Sequence, residues 1–445
     1  MELGFLLMSG GLSSRMGTPK ALLALDGQPL LFHIARAGEG FAERILSVND
    51  DAIPTPEGYL RIGDIYKECG PMGGLHASLI AARCDALVVA PCDAPYFSAD
   101  VAAFLASQYE EGLDAVILED GNGRTHPMMG VYAKSCLPAL TEHLEAKRFK
   151  IMRMLDGLRV KFVRLPDSIP PQAMSNLNTP EDYAALCRKT LASSIRRIAR
   201  EAGSSIRGFG SYDVEQKEGH ANFVTTVDKA VEDYLSGALQ AAMPGSLFIG
   251  EEQENEALTD APTWIIDPVD GTTNLIHDFR QSAVSIAYCE GSVPVMAAVY
   301  QPYTDELFFA EKGCGATLND TPIHVAQNPF DRALVAFGTS PYHASLARRS
   351  MDLALSFLQN CADIRRSGSA ALDLASVACG RTDIYFEMIL SPWDFAAGAL
   401  LVTEAGGELL MPFGDGQIRF DQPQGVLAAS AVCAKEALEM IRRKA

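Results

Sequence analysis

Two carboxylates at the end of an apolar strand pattern are the most chemically loaded feature of the chain. Trp264-Ile265-Ile266 runs into Asp267-Pro268-Val269-Asp270-Gly271-Thr272-Thr273-Asn274. Acids three residues apart, where a strand turns at a glycine, can converge on a hard cation. Gly250-Glu251-Glu252 lies upstream and Pro392-Trp393-Asp394 far downstream. If these acids meet, burying them together is costly unless cations compensate. Oxygen donors without a nearby His or Cys favour Mg²⁺ over Zn²⁺. The alternative for a bare D-x-x-D is a turn cap, with the other acids solvated.

A second loaded stretch opens the chain. Met8-Ser9-Gly10-Gly11-Leu12-Ser13-Ser14-Arg15-Met16-Gly17-Thr18-Pro19-Lys20 follows a strand pattern. Adjacent glycines let the backbone approach a phosphate, and successive N–H groups make an anion nest. Arg15 and Lys20 add positive charge suited to a triphosphate. The spacing is neither G-x-x-x-x-G-K-[ST] nor G-x-G-x-x-G. Asp93 follows the apolar run 86–90, at a strand end where an open α/β sheet places its ligands. It could hold a Mg²⁺ on phosphate oxygens, or cap a turn before Pro95.

These residues need elements to position them. Strand patterns at 4–8, 44–48, 86–90 and 114–118 alternate with helical patterns at 28–36 and 75–82, which predicts a mostly parallel, Rossmann-like α/β sheet. Residues 176–183 read as a helix start, with Thr179 as N-cap and Pro180 at N1. Residues 186–202 form a long amphipathic pattern rich in Arg and Lys, and the domain boundary is placed near 187. Beyond it come helices, then β-rich segments at 283–288 and 293–300, then helices at 370–378 and 396–405. The expected domains are 1–187 and 188–445.

The 445 residues allow two or three domains. A 48% hydrophobic and 21% charged composition is that of a globular protein, and the net charge of −19 disfavours nucleic acid and anionic membrane. The ten cysteines include no C-x-x-C pair and read as free thiols in a reducing cytoplasm. The apolar start lacks a basic n-region and reads as a buried strand rather than a signal peptide. No apolar run reaches a membrane-spanning length.

Over residues 3–186 the chain resembles the molybdenum-cofactor guanylyltransferase family. The likeness rests on the 8–20 loop, Gly70-Pro71-Met72-Gly73-Gly74, Pro91-Cys92-Asp93-Ala94-Pro95-Tyr96, His126-Pro127 and Asn176-Leu177-Asn178-Thr179-Pro180-Glu181, in the family's order. It implies that Met8, Ser9, Gly10, Lys20, Asn49, Asp64 and Asp93 contact GTP, with Lys20 on the phosphates and Asp93 on Mg²⁺. Gly11 and Arg15 join them as phosphate-binding candidates of the loop. Asn49 also reads as a turn residue and Asp64 as a solvated loop acid. Ser9 stands where the family commonly has Ala, and the stretch to Lys20 is closer to the related cytidylyltransferases, so CTP stays open beside GTP. The implied acceptor is molybdopterin. A sugar- or inositol-phosphate acceptor and a non-catalytic nucleotide-binding module are the alternatives.

Over residues 188–440 the chain resembles the inositol monophosphatase family. The likeness is carried by G-E-E at 250–252, W-I-I-D-P-V-D-G-T-T-N at 264–274 and W-D at 393–394. Val224-Thr225-Thr226-Val227-Asp228, the stretch 366–373 and Glu404-Ala405-Gly406-Gly407 add to it. It implies an αβαβα sandwich and Mg²⁺-dependent hydrolysis of an inositol-phosphate-type monoester. Glu252, Asp267 and the Val269 carbonyl would take one Mg²⁺, Asp267, Asp270 and Asp394 a second, and Glu252 a third, water-rich one. Thr272, bonded to Asp228, would orient the attacking water, and the Gly271 and Thr272 N–H groups would bind phosphate. Glu387 would recognise substrate hydroxyls. Asp228 also reads as a helix N-cap, Glu387 as a strand-edge acid, and Lys217 as a surface lysine. D-G-T-T-N, in place of D-G-T-K, favours inositol phosphates over 3′-phosphoadenosine phosphate. The chain departs from the family at 278–282. The reading allows a homodimer through the C-terminal domain.

Overall fold

The computed structural model describes residues 2–9, 18–208, 213–216, 223–252, 255, 258–341, 343–413 and 416–444. Gly10, Gly11, Arg15 and Lys217 lie outside the described residues. The chain forms two compact units, Met1–Arg188 and Lys189–Ala445. No helix among the described residues is long and apolar enough to cross a membrane. The cysteines are all unpaired.

The first unit is built on a seven-stranded sheet. Its order is Leu60–Ile62, Arg44–Ser47, Gly4–Met8, Ala86–Pro91, Thr125–Ala133, Ala115–Glu119, Val160–Val163. Thr125–Ala133 runs antiparallel to both neighbours, and the other pairings are parallel. Every residue of Gly4–Met8 and Ala86–Pro91 is buried, as a sheet covered on both faces requires. Alternation sends Phe5, Leu7, Leu46, Val88 and Ala90 into one core and Leu6, Met8, Ile45, Leu87 and Val89 into the other.

The second unit stacks five layers, the αβαβα sandwich. Helix Thr226–Ala242 and the later turns of Pro180–Gly208 cover one face of a seven-stranded sheet, where Val227, Val231, Leu235 and Leu239 meet Trp264, Ile266 and Val284. That sheet runs Leu247–Gly250, Thr263–Asp270, Ala283–Glu290, Val293–Gln301, Glu306–Glu311, Gly315–Leu318, Thr321–Ile323. Helices Ala370–Ala378 and Pro392–Glu404 lie between its second face and a five-stranded sheet. The five strands are Asp363–Arg365, Leu334–Phe337, Ile384–Leu390, Gln424–Ser430 and Gly407–Leu410. Helices Ala344–Asn360 and Ala434–Lys444 cover the far side. The two helices of the central layer approach closely at Gly398, where a Cβ would lie 2.5 Å from Leu374 of the neighbouring helix.

Several elements differ from expectation at their ends. The helix expected at 28–36 shrinks to Leu30–Ala35, because a short hairpin, Ala24–Leu25 with Gln28–Pro29, takes its first residues. The helix expected at 75–82 begins at Pro71, after Gly70 at φ +60°. The helix expected at 396–405 begins at Pro392, capped by Ser391. In both, proline occupies the first helical position, where its missing N–H costs nothing. The start at Thr179 and the pattern at 186–202 belong to one helix, Pro180–Gly208, since no Gly or Pro interrupts residues 181–202.

Candidate active site

A β-bulge creates the carboxylate site. In a regular strand, residues three apart point to opposite faces. Here Asp267 pairs with Ser285 and Asp270 with Ala283, so three steps on one strand match two on the other. The extra residue brings both acids to one side. Asp394 reaches them from the third position of helix Pro392–Glu404. Carboxylate oxygens of Asp267, Asp270 and Asp394 lie within 4.8 Å of one another.

Each acid is anchored. Val269 N–H donates to Asp267 Oδ1 at 3.0 Å. Ala371 N–H, at 2.7 Å, and the Ser369 hydroxyl donate to Asp270 Oδ2. Ser391 N–H donates to Asp394 Oδ2 at 2.7 Å. Burial, then the charges of Glu251, Asp270 and Asp394, hold Asp267 well above the usual carboxylate range. Burial, then Asp270 and Glu251, do the same to Asp394. Burial pushes Asp270 up to about 6, against the bonds from Ser369 and Ala371. Three carboxylates that repel one another, two of them buried and Asp394 half-buried, fit a hard divalent cation, which would let all three ionise. The Val269 carbonyl lies 3.2 Å from the Thr272 hydroxyl and is a second acceptor for it.

The outside charge acting most strongly on Asp267 is Glu251, where the motif led us to expect Glu252. Strand register explains the difference. Gly250 pairs with Ile266 in a parallel ladder, so the next residue, Glu251, comes level with Asp267. Glu252 falls one step further along.

Beside the acids stands a hydroxyl held by a second carboxylate. Thr272 opens the short helix Thr272–Ile276 after Gly271, whose φ of +91° disfavours a side chain and where a Cβ would lie 2.8 Å from the Gln281 carbonyl. The Thr272 hydroxyl donates to Asp228 Oδ1 at 2.9 Å. Asp228 Oδ2 accepts from Thr225 N–H at 2.8 Å and from the Thr225 hydroxyl. The N-cap of helix Thr226–Ala242 is therefore Thr225, and Asp228 completes the capping box while keeping one oxygen for Thr272.

Glu387 is buried, at 8% exposure. Ser340 N–H, at 2.8 Å, and the Ser340 hydroxyl, at 3.2 Å, donate to its Oε1, and the Tyr385 hydroxyl donates to Oε2 at 2.7 Å. Burial raises it despite these bonds, and its own charge reaches Asp270 and Asp394. Sequence reasoning missed Asp373, a buried acid on helix Ala370–Ala378 that burial pushes up to about 8. It also missed Ser340, Ser369 and Tyr385 as partners of the site. The run R-R-S-G-S-A-A-L-D was the only available signal for two of them.

In the first unit, the expected residues gather at the C-terminal ends of parallel strands, where the strand order changes direction. Met8 ends Gly4–Met8, Ser9 N–H donates to the Ser47 carbonyl at 2.9 Å, and Cys92 N–H to the Met8 carbonyl at 2.9 Å. Lys20 Nζ contacts Asp93 Oδ2 at 2.9 Å and Asn178 Oδ1 at 3.5 Å. Asn49 Oδ1 accepts from Asp64 N–H at 2.8 Å, and burial raises the Asp64 carboxyl. A Cβ on Gly74 would sit 2.3 Å from Ser47 Oγ and 3.3 Å from Asp64 Oδ1. Glycine therefore lets the helix start crowd these strand ends.

Comparison with known proteins matches the two parts of the chain to different families. A model of the inositol monophosphatase family matches residues 187–445, and a model of the MobA-like NTP transferase domain matches residues 5–160. Inositol monophosphatase 3 of Solanum lycopersicum is 39% identical over 247 residues, 54% of this chain and 91% of that protein. The Nus factor SuhB of Escherichia coli K12 is 41% identical over 216 residues, 47% of this chain and 81% of that protein. Among solved structures, the extragenic suppressor protein suhB of Bartonella henselae is 32% identical with a TM-score of 0.53, covering 56% of this chain and 98% of its own. An IMPase of Thermotoga maritima is 27% identical with a TM-score of 0.52, covering 57% and 96%.

Proposed function

We propose that this chain, which belongs to the inositol monophosphatase family over residues 187–445 and carries a MobA-like NTP transferase domain over residues 5–160, is a bifunctional enzyme. Its second half hydrolyses a phosphomonoester of the inositol 1-phosphate type with Mg²⁺. Its first half transfers a nucleotidyl group from GTP to a molybdopterin-type acceptor, releasing pyrophosphate.

The observation that carries the phosphatase reading is the bulge that turns Asp267 and Asp270 toward Asp394. Glu251, Asp267, the Val269 carbonyl, Asp270 and Asp394 would hold Mg²⁺, with Glu251 taking the place expected for Glu252. Mg²⁺ there would neutralise phosphoryl oxygens and acidify the attacking water. The Thr272 hydroxyl donates its hydrogen bond to Asp228, so Thr272 Oγ keeps a lone pair to orient that water. The Gly271 and Thr272 N–H groups would receive the phosphate, and Glu387 a hydroxyl of the leaving alcohol. Water's oxygen bonds to phosphorus as the ester P–O bond breaks, and the departing alkoxide takes up, through solvent, the proton that the attacking water gives up.

For the first half, Lys20 beside Asp93 supports the reading, since a lysine and a Mg²⁺-binding acid at strand ends suit a triphosphate. The full chain supplied with inositol 1-phosphate, other phosphomonoesters and Mg²⁺ is expected to release phosphate, and EDTA to abolish that release. No Mg²⁺-dependent release from any monoester would end the phosphatase reading. Pyrophosphate release with molybdopterin as acceptor and GTP, compared with CTP and ATP, tests the first half, and faster turnover with CTP would reassign its base.

A further inference from the structure

We propose that Ser340 and Tyr385 are positioning residues that hold Glu387 in one orientation, and that this clamp makes the site select polyol phosphates over aryl phosphates. The inference rests on the phosphatase reading and adds to it the basis of leaving-group choice.

Glu387 lies on strand Ile384–Leu390 just before a register shift: it pairs with Val426, whereas Leu390 pairs with Gln424. Such bulges re-aim a side chain. A glutamate has three side-chain torsions to lose, and a buried one left loose would present no fixed acceptor. Here both oxygens are gripped by Ser340 and Tyr385, through the three hydrogen bonds already described. Two carboxylate oxygens offer about four acceptor directions. With three used by the protein, one remains for a hydroxyl donated by substrate.

The turn that carries Ser340 is shaped for this grip. A Cβ on Gly338 would fall 1.8 Å from Glu387 Oε2, so only glycine lets the carboxylate lie there. Ser340 itself has a φ of +43°, a conformation that L-residues rarely adopt, and it is 3% exposed. That backbone aims its N–H at Oε1, which offsets the strain. The Arg366 guanidinium donates to the Thr339 hydroxyl at 3.2 Å. The turn is thereby tied to the segment whose Ser369 and Ala371 hold Asp270. The hydroxyl-reading acid and a cation-holding acid are thus set by two linked segments. A leaving group without hydroxyls gains nothing from this clamp.

The test compares kcat/KM of the full chain with Mg²⁺ for inositol 1-phosphate and for 4-nitrophenyl phosphate. Tyr385→Phe and Ser340→Ala each remove one hydroxyl donor and leave the backbone N–H in place. Each is expected to lower the polyol-to-aryl ratio roughly tenfold, mostly through a higher KM for the polyol, the usual scale of one hydrogen bond to a charged group. Melting curves matching the wild type show that the fold is kept. A ratio within twofold of wild type in both variants overturns the clamp. Wild-type inactivity on both substrates overturns the phosphatase reading, and the clamp with it.

Discussion

Asp267, Asp270 and Asp394 repel one another in a place that water reaches poorly, and that conflict is measurable. Burial and like charge raise all three, so the folded, cation-free chain binds protons more tightly than the unfolded one. The stability they lend is complete below the unfolded Asp value of about 3.9 and is lost as pH rises through the folded values, about 6 for Asp270. Cation-free chain is therefore expected to melt lower at pH 8 than at pH 5 from this site, and Mg²⁺ to raise Tm more at pH 8. Equal Mg²⁺ shifts at both pH values, read by differential scanning fluorimetry, would count against the site. Asp270→Asn keeps an oxygen for Ser369 and Ala371 while removing a charge. It should lower phosphate release roughly a hundredfold or more, since even partners of metal ligands cost 10–100-fold. In EDTA at pH 8 it should melt no lower than wild type. Thr272→Ala should lower kcat by roughly a hundredfold with little change in KM, the contribution of a positioned proton relay. At this scale the contiguous acids were legible, because one short motif contains them. The proposed preference for Glu251 over Glu252 was not, because it rests on strand register. Ser340 and Tyr385 were not legible either: their meaning lies in a carboxylate that only folding brings to Ser340.

The elements that carry these residues are set by local signals read with uneven success. Strands 4–8 and 86–90 and helix 370–378 were visible as apolar runs and periodicity. The starts at Pro71 and Pro392 were missed although proline at the first helical position marks them. The bulge at 267–270 leaves no trace in composition, yet it decides whether the acids share a face. Gly271 is the hinge of that end. Gly271→Ala must place a Cβ 2.8 Å from the Gln281 carbonyl at φ +91°. A strain of about 1–3 kcal/mol is expected, seen as a lower Tm together with reduced phosphate release. A variant with unchanged Tm and activity would show that the turn can relax.

For the molecule as a whole, two sets of motifs in family order made the two-unit organisation legible, whereas the continuity of Pro180–Gly208 was not. That helix gives Leu186 to the first unit's core and Leu191, Ile195, Ile198 and Ala202 to the second's. Its N-terminus is capped reciprocally: Asp182 N–H donates to Thr179 Oγ at 3.1 Å, and Thr179 N–H to Asp182 Oδ2 at 3.0 Å. A fragment beginning at residue 189 loses this cap and two turns of helix, whereas one beginning at residue 176 keeps them. The longer fragment is expected to be more stable by about 1 kcal/mol, the usual worth of a cap. Urea unfolding of both checks this, and equal midpoints would mean that the helix start does nothing for the second unit.

The Ala- and Gly-rich helix Pro392–Glu404 has a consequence for tolerance to mutation. It fills the gap between two sheets and also carries Asp394, one turn before Gly398. The packing of this helix therefore sets how far Asp394 stands from Asp267 and Asp270. A side chain added at Gly398 would press on Leu374 of the neighbouring helix and so displace the helix that carries Asp394. In a screen for lost cation affinity, substitutions at Ala397 or Gly398, buried and carrying no chemistry themselves, should score among the defects normally found only at ligands.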